Sequence, residues 1–89
     1  MATYMVSYDL KAPGKDYKEL IDYLKSLDNW WHNLGSTWVV VTSMTAVQLR
    51  DAINKHIDAD DRVLVVKSAG EGAWRGFTDT AGEWLKENL

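Results

Sequence analysis

Four β-prone runs and two amphipathic helical stretches follow one another in the order β-α-β-β-α-β, and that order predicts an α+β sandwich. Three observations carry the prediction. The run Thr3–Leu10 alternates strictly, the stretch from Tyr17 to Leu27 repeats its apolar residues at helical spacing, and two dense β-branched runs between residues 36 and 68 flank a second helical stretch. The chain of 89 residues makes a single domain with a modest core, and chains of this size often gain stability by pairing with a second copy.

In the first strand, Tyr4, Val6, Tyr8 and Leu10 share one face, while Met5, Ser7 and Asp9 share the other. The first face reads as the one under helices. The second ends in an acid, so it looks at something other than a plain core. Pro13-Gly14 marks a turn, and Asp16 with Glu19 three residues on resembles a capping box. The helix from Tyr17 to Leu27 buries Tyr17, Leu20, Ile21, Leu24 and Leu27 along one stripe, and Lys18, Glu19, Asp22 and Lys25 take the wet side. Glu19 and Asp22 therefore read as a solvated helix face, not as an acid pair.

A hairpin follows, Trp30–Leu34 and Ser36–Thr42 with Gly35 near the turn. Its second arm is β-branched or aromatic at nearly every position and apolar on both faces, which suits an inner strand. Thr45 and Gln48 form a capping-box pattern, and the helix they open runs to about Ile57 with Ala46, Leu49, Ile53 and Ile57 inward. Asp58-Ala59-Asp60-Asp61 lacks the alternating oxygens, central glycine and distant glutamate of a calcium loop, so it reads as a solvated turn. Arg62–Ser68 is the last strand, apolar on both faces and so expected to be covered on both sides or to lie at an interface. A glycine-bearing segment leads to Thr78 or Asp79, either of which can cap a helix reaching Leu89 through Trp84 and Leu85. Gly82 inside that helix weighs against it.

The element order is the ferredoxin-like one: a four-stranded antiparallel sheet, two helices on one face, and a C-terminal extension over about 69–89. Strands one and three are then central, and Asp9 lies at the end of a central strand on the face away from the helices. Two helices leave that face bare although it is too apolar for exposure. Either a homodimer or the C-terminal segment folding over would cover it.

Net charge is −3 and there is no cysteine. The first argues against a strongly basic nucleic-acid binder, and the second excludes disulfides, thiolate metal sites and a cysteine nucleophile. No apolar run approaches the length of a membrane span, and the expectation is a soluble, cytoplasmic protein without membrane association. Five tryptophans are too many to bury fully in so small a core, so some are expected at an interface or in a groove.

Two motifs carry a family resemblance. The strand Met5-Val6-Ser7-Tyr8-Asp9-Leu10, ending in Tyr-Asp and an apolar residue, resembles the first strand of the small CRISPR-associated adaptation endonucleases and of their VapD-type and GhoS-type relatives. The Tyr8–Tyr17 opening and the Trp30–Trp38 hairpin are similar to short SinR-like proteins, a likeness that spans most of the chain. The resemblance implies a homodimer in which an acid from each subunit holds a divalent cation, Mg²⁺, that activates water against an RNA or DNA phosphodiester. Carried over, Asp9 is the metal-binding and catalytic acid, and Ser36 and Thr37 stand where the family has polar residues opening the third strand.

From the residues themselves, Asp9 is either a hard oxygen ligand for Mg²⁺ or a strand-end carboxylate accepting N–H bonds from the following loop. His32 has a general base's ordinary pKa range, with a packed hairpin histidine as the plainer reading, and His56 reads as structural near a helix C-terminus. Trp30, Trp31 and Trp38 offer rings for base stacking, against core or dimer contacts. Lys11, Lys15 and Arg75 offer a local positive patch, and Tyr8 joins Lys11, Trp31, Thr37 and Arg75 as the substrate-binding set. Two function classes therefore stand: a metal-dependent endonuclease with catalytic Asp9, His32 and Ser36, or a non-catalytic dimeric module that binds nucleic acid, a nucleotide or a protein in phage defence, counter-defence or toxin–antitoxin control.

Overall fold

The computed structural model describes residues 1–11 and 17–89, so the Pro13-Gly14 turn, Lys15 and the Asp16 cap lie outside the described residues. The elements are β1 (Ala2–Asp9), α1 (Lys18–Lys25), β2 (Asn29–Trp31), β3 (Thr37–Thr42), α2 (Ala46–Asn54), β4 (Arg62–Lys67) and α3 (Asp79–Asn88). The strands form one sheet in the order β2-β3-β1-β4, with every neighbouring pair antiparallel. Element order, strand order and α+β class agree with the ferredoxin-like expectation.

The alternation of β1 decides which residues go under the helices. Tyr4 and Val6 are buried there with Trp38 and Val40 of β3, against Leu20 and Leu24 of α1 and Leu49 and Ile53 of α2. Tyr8, Leu10, Tyr17, Ile21, Leu27, Ala46, Ile57, Val63 and Val65 pack around that centre half-buried. Both helices are shorter than their stripes suggest, because the last apolar residue of each lies in the turn beyond it. α1 starts at Tyr17, whose backbone is left-handed (φ 26) and which makes no side-chain cap bond. α2 starts as expected: the Thr45 hydroxyl accepts from Gln48 N–H, and the Gln48 side chain accepts from Thr45 N–H. Thr45→Ala should cost about 1 kcal/mol, read as a small fall in the midpoint of chemical denaturation at unchanged slope.

The second face has its own smaller core. Trp31 and Val39 are buried there beneath Ala81 and Leu85 of α3, with Phe77, Trp84 and Leu89 around them. Thr78 caps this helix by accepting from Ala81 N–H. Its far end is fastened to the sheet, where Thr3 Oγ1 donates to the Asn88 carbonyl and Ser68 Oγ to that of Leu89. Gly82 has a packing reason: a Cβ there would lie 3.0 Å from Trp74 Nε1, so glycine lets the indole lie against the helix. Of the two covers expected for this face, α3 supplies one over the β2–β3 half. The β1–β4 half keeps Met5, Leu64 and Val66 exposed. β4 is thus an edge strand, and among the described residues one of its apolar faces stays open, which leaves the interface of the two expected alternatives.

Candidate functional site

The uncovered part of the sheet ends at Asp9. Its carboxylate lies 2.8 Å from Lys11 Nζ, with both side chains about half exposed (57% and 47%). Two residues beyond Asp9, Lys11 emerges on the same side of the extended chain, which brings the pair together. Asp9 holds the Lys11 ammonium above its ordinary pKa, first through the hydrogen bond and then through charge. Directly across the ladder from Asp9 stands Arg62, the first residue of β4. Among the described residues Arg62 makes no ion pair. Farther along the same face, Ser7 and Thr37 are ladder partners whose hydroxyls lie 3.1 Å apart.

The backbone at Lys11 is held by Asp61, a residue of the acidic turn expected to be solvated. The Asp61 carboxylate accepts from Lys11 N–H at 2.7 Å, from Asp58 N–H at 2.8 Å and from the Tyr17 hydroxyl at 3.0 and 3.1 Å. It ties the exit of β1 to the turn before β4 and so fixes the backbone that carries Lys11. The Asp58–Asp61 turn is therefore not wholly solvated. No spacing rule points from Asp61 to Tyr17, 44 residues away.

The sheet itself separates the other expected site residues. Tyr8 faces the helices, and its hydroxyl accepts from Trp38 Nε1 at 3.1 Å. His32 lies on that side too, stacked on the Trp38 ring with centroids 3.9 Å apart and planes at 10°, and its Nε2 is 3.3 Å from the Gly35 carbonyl. Asp9 and Thr37 belong to the opposite face. Trp31 is buried under α3, donates Nε1–H to the Ala81 carbonyl at 3.1 Å and meets Phe77 edge-on, which leaves no ring face free for a base. Trp38 is fully buried. Trp30 is partly exposed (38%), with Lys25 Nζ 5.5 Å from its ring centre. Ser36 is exposed in the hairpin turn and accepts Tyr8 N–H through its carbonyl. Arg75 is exposed in the segment between β4 and α3.

Two concavities flank this arrangement. One is a groove of about 370 Å³ between the sheet and the segment before α3, with Met5, Thr37, Val39 and Val66 below and Trp74 and Phe77 above. The other, of about 550 Å³, lies by His56 between the start of α1 and the end of α2. There the imidazole stacks on Tyr23, its buried Nδ1 has no hydrogen-bond partner among the described residues, and Glu19 Oε2 is 3.8 Å away.

Could one copy hold Mg²⁺ at Asp9? The ion takes one or two carboxylates and keeps several waters. Among the described residues Asp9 brings one carboxylate to the end of β1, already opposed by an ammonium. Among the described residues no group of three or more His, Asp or Glu could hold a metal. The described residues of one chain do not make up a donor set for the ion. No helix among the described residues is long and apolar enough to cross a membrane. The chain matches no protein-family model, no curated protein and no solved structure.

Proposed function

We propose that this protein is a homodimeric, non-catalytic binding module. One observation carries the reading: the sheet lies between the groups that catalysis would need together. Asp9 and Thr37 are on the open face, while His32 and Tyr8 are engaged with Trp38 on the helix side. A general base works within hydrogen-bond reach of the proton it takes, and an imidazole stacked across the sheet from the acid does not share a substrate with it. What the open end offers instead is recognition. Lys11 and Arg62 flank one carboxylate beside an apolar stripe, a mixed surface suited to another protein surface.

A second reading is a metal-dependent endonuclease built only in a dimer. It is favoured by Asp9, which occupies the one sheet face with room for another copy. A single assay separates the two: labelled RNA and DNA incubated with the purified protein in Mg²⁺, Mn²⁺ or EDTA, with Asp9→Ala alongside. The binding module predicts intact strands under all conditions. Metal-dependent cleavage that vanishes in Asp9→Ala would overturn it in favour of the nuclease.

A further inference from the structure

We infer that the β1–β4 half of the open sheet face is where a second copy of this chain packs, and that Asp9 of each copy pairs there with Arg62 of the other. This rests on the homodimeric reading and specifies its interface.

The residues on that half-face come in ladder pairs: Asp9 with Arg62, Ser7 with Leu64, and Met5 with Val66. Each pair has one member on β1 and one on β4. Consider a second copy turned over about a two-fold axis that runs along the strands, midway between β1 and β4. Its β4 then lies over the first copy's β1, and its β1 over the first copy's β4. Every residue meets the ladder partner of its own counterpart. Asp9 faces an arginine, Met5 faces a valine, Ser7 faces a leucine, and no like charges from these pairs are opposed. An isologous interface needs this self-complementarity, in which contact i to j is repeated as j to i.

Three further features fit the same occupant. Met5, Leu64 and Val66 are 39%, 56% and 44% exposed, three large apolar side chains on adjoining strands with charged groups at one end. An apolar centre with a polar rim is the usual anatomy of a stable interface. α3 lays its buried residues on the β2–β3 half and reaches the β1–β4 half only with its last residues, at Thr3 and Ser68. Met5 and Val66 border the groove beside Trp74, so the clearest part of the shared stripe is its Asp9–Arg62 and Ser7–Leu64 end, and stacked sheets stand about 10 Å apart, close to the thickness of a helix. Finally, the Asp9–Lys11 pair is exposed, and exposed ion pairs contribute little. Exchanging Lys11 for a partner's guanidinium, which can grip a carboxylate with two parallel bonds, is therefore a favourable trade. The pairing also puts the two Asp9 carboxylates on opposite sides of the axis, each facing an arginine, and not together on one cation.

Sedimentation equilibrium on the full chain tests this. The wild type should sediment at twice the 10.1 kDa chain mass. Asp9→Arg and Arg62→Asp should each weaken the dimer about tenfold or more, and the double variant Asp9→Arg/Arg62→Asp should restore it. Leu64→Asp should give a monomer whose circular dichroism remains native, because Leu64 is exposed in the single chain, and whose melting no longer depends on protein concentration. A wild type that stays dimeric, with all of these variants dimeric as well, would overturn the interface and leave the homodimer standing. Weakened single variants without rescue in the double would overturn the Asp9–Arg62 pairing. A wild type that is monomeric at its highest soluble concentration would overturn the homodimeric reading and the interface with it.

Discussion

Trp38→Ala should be the most damaging single substitution in the main core. The indole is fully buried at the centre of the sheet, on β3 opposite Val6. It is covered by His32 in parallel stacking and by Trp30 at 5.5 Å, and its Nε1–H reaches the Tyr8 hydroxyl. Truncation leaves a cavity that neighbouring strands cannot close, and tryptophan-to-alanine changes in cores cost about 3–5 kcal/mol. In a domain of this size each kcal/mol lowers the melting temperature by about 4–8 °C, so a fall of at least ~12 °C is expected by calorimetry. His32→Ala loses only the stacked face, worth about 0.5–1.5 kcal/mol beyond its area, and should melt within several degrees of wild type. If His32→Ala proved as damaging as Trp38→Ala, the assignment of the imidazole as a cover over the core would be wrong.

The contrast between those residues also shows what the sequence made legible. The hairpin Trp30-Trp31-His32 through Trp38 stands out as an aromatic motif, and alternation along β2 already separates Trp30 and His32 from Trp31. Periodicity likewise placed Tyr4 and Val6 of the main core, with Leu20, Leu24, Leu49 and Ile53 above them, because an amphipathic stripe reports its buried face locally. The Asp9–Lys11 pair is local too, as residues i and i+2 on a strand. The rest depended on distant parts of the chain. Asp61 gains two of its partners, Lys11 and Tyr17, from 50 and 44 residues earlier. Gly82 looks like a helix breaker until Trp74 is laid against it. Tyr8 on the first strand and Trp31 and His32 in the hairpin are all expected site residues, and only the sheet, with α3 on its second face, shows that Trp31 points into other surroundings than Tyr8 and His32.

Trp31→Ala should be nearly as costly as Trp38→Ala, but its effect should be confined to the other side of the sheet. Trp31 is the largest buried residue of the second core, 5% exposed, with Ala81 and Leu85 above it. It meets Phe77 with ring centroids 4.9 Å apart and donates to the Ala81 carbonyl. Removing it takes away most of what holds the first half of α3, at a cost of about 3–5 kcal/mol. The two cores share strand backbone, not side chains, so α3 can open without exposing Leu20, Leu24, Leu49 or Ile53. Proteins do open by such contiguous units below the global unfolding energy. Native-state hydrogen exchange should therefore show α3 amides losing protection by two or more orders of magnitude, since about 1.4 kcal/mol corresponds to tenfold, while the amides joining β1 to β3 keep most of theirs. Uniform loss across both sets would mean that α3 is part of one cooperative unit with the main core, and the picture of a separately docked C-terminal helix would fall. The Trp31 result also bears on the site. A residue whose loss releases α3 holds the cover of the sheet in place, and any effect of Trp31→Ala on ligand or partner binding then follows from exposing Val39 and its neighbours, not from removing a stacking surface.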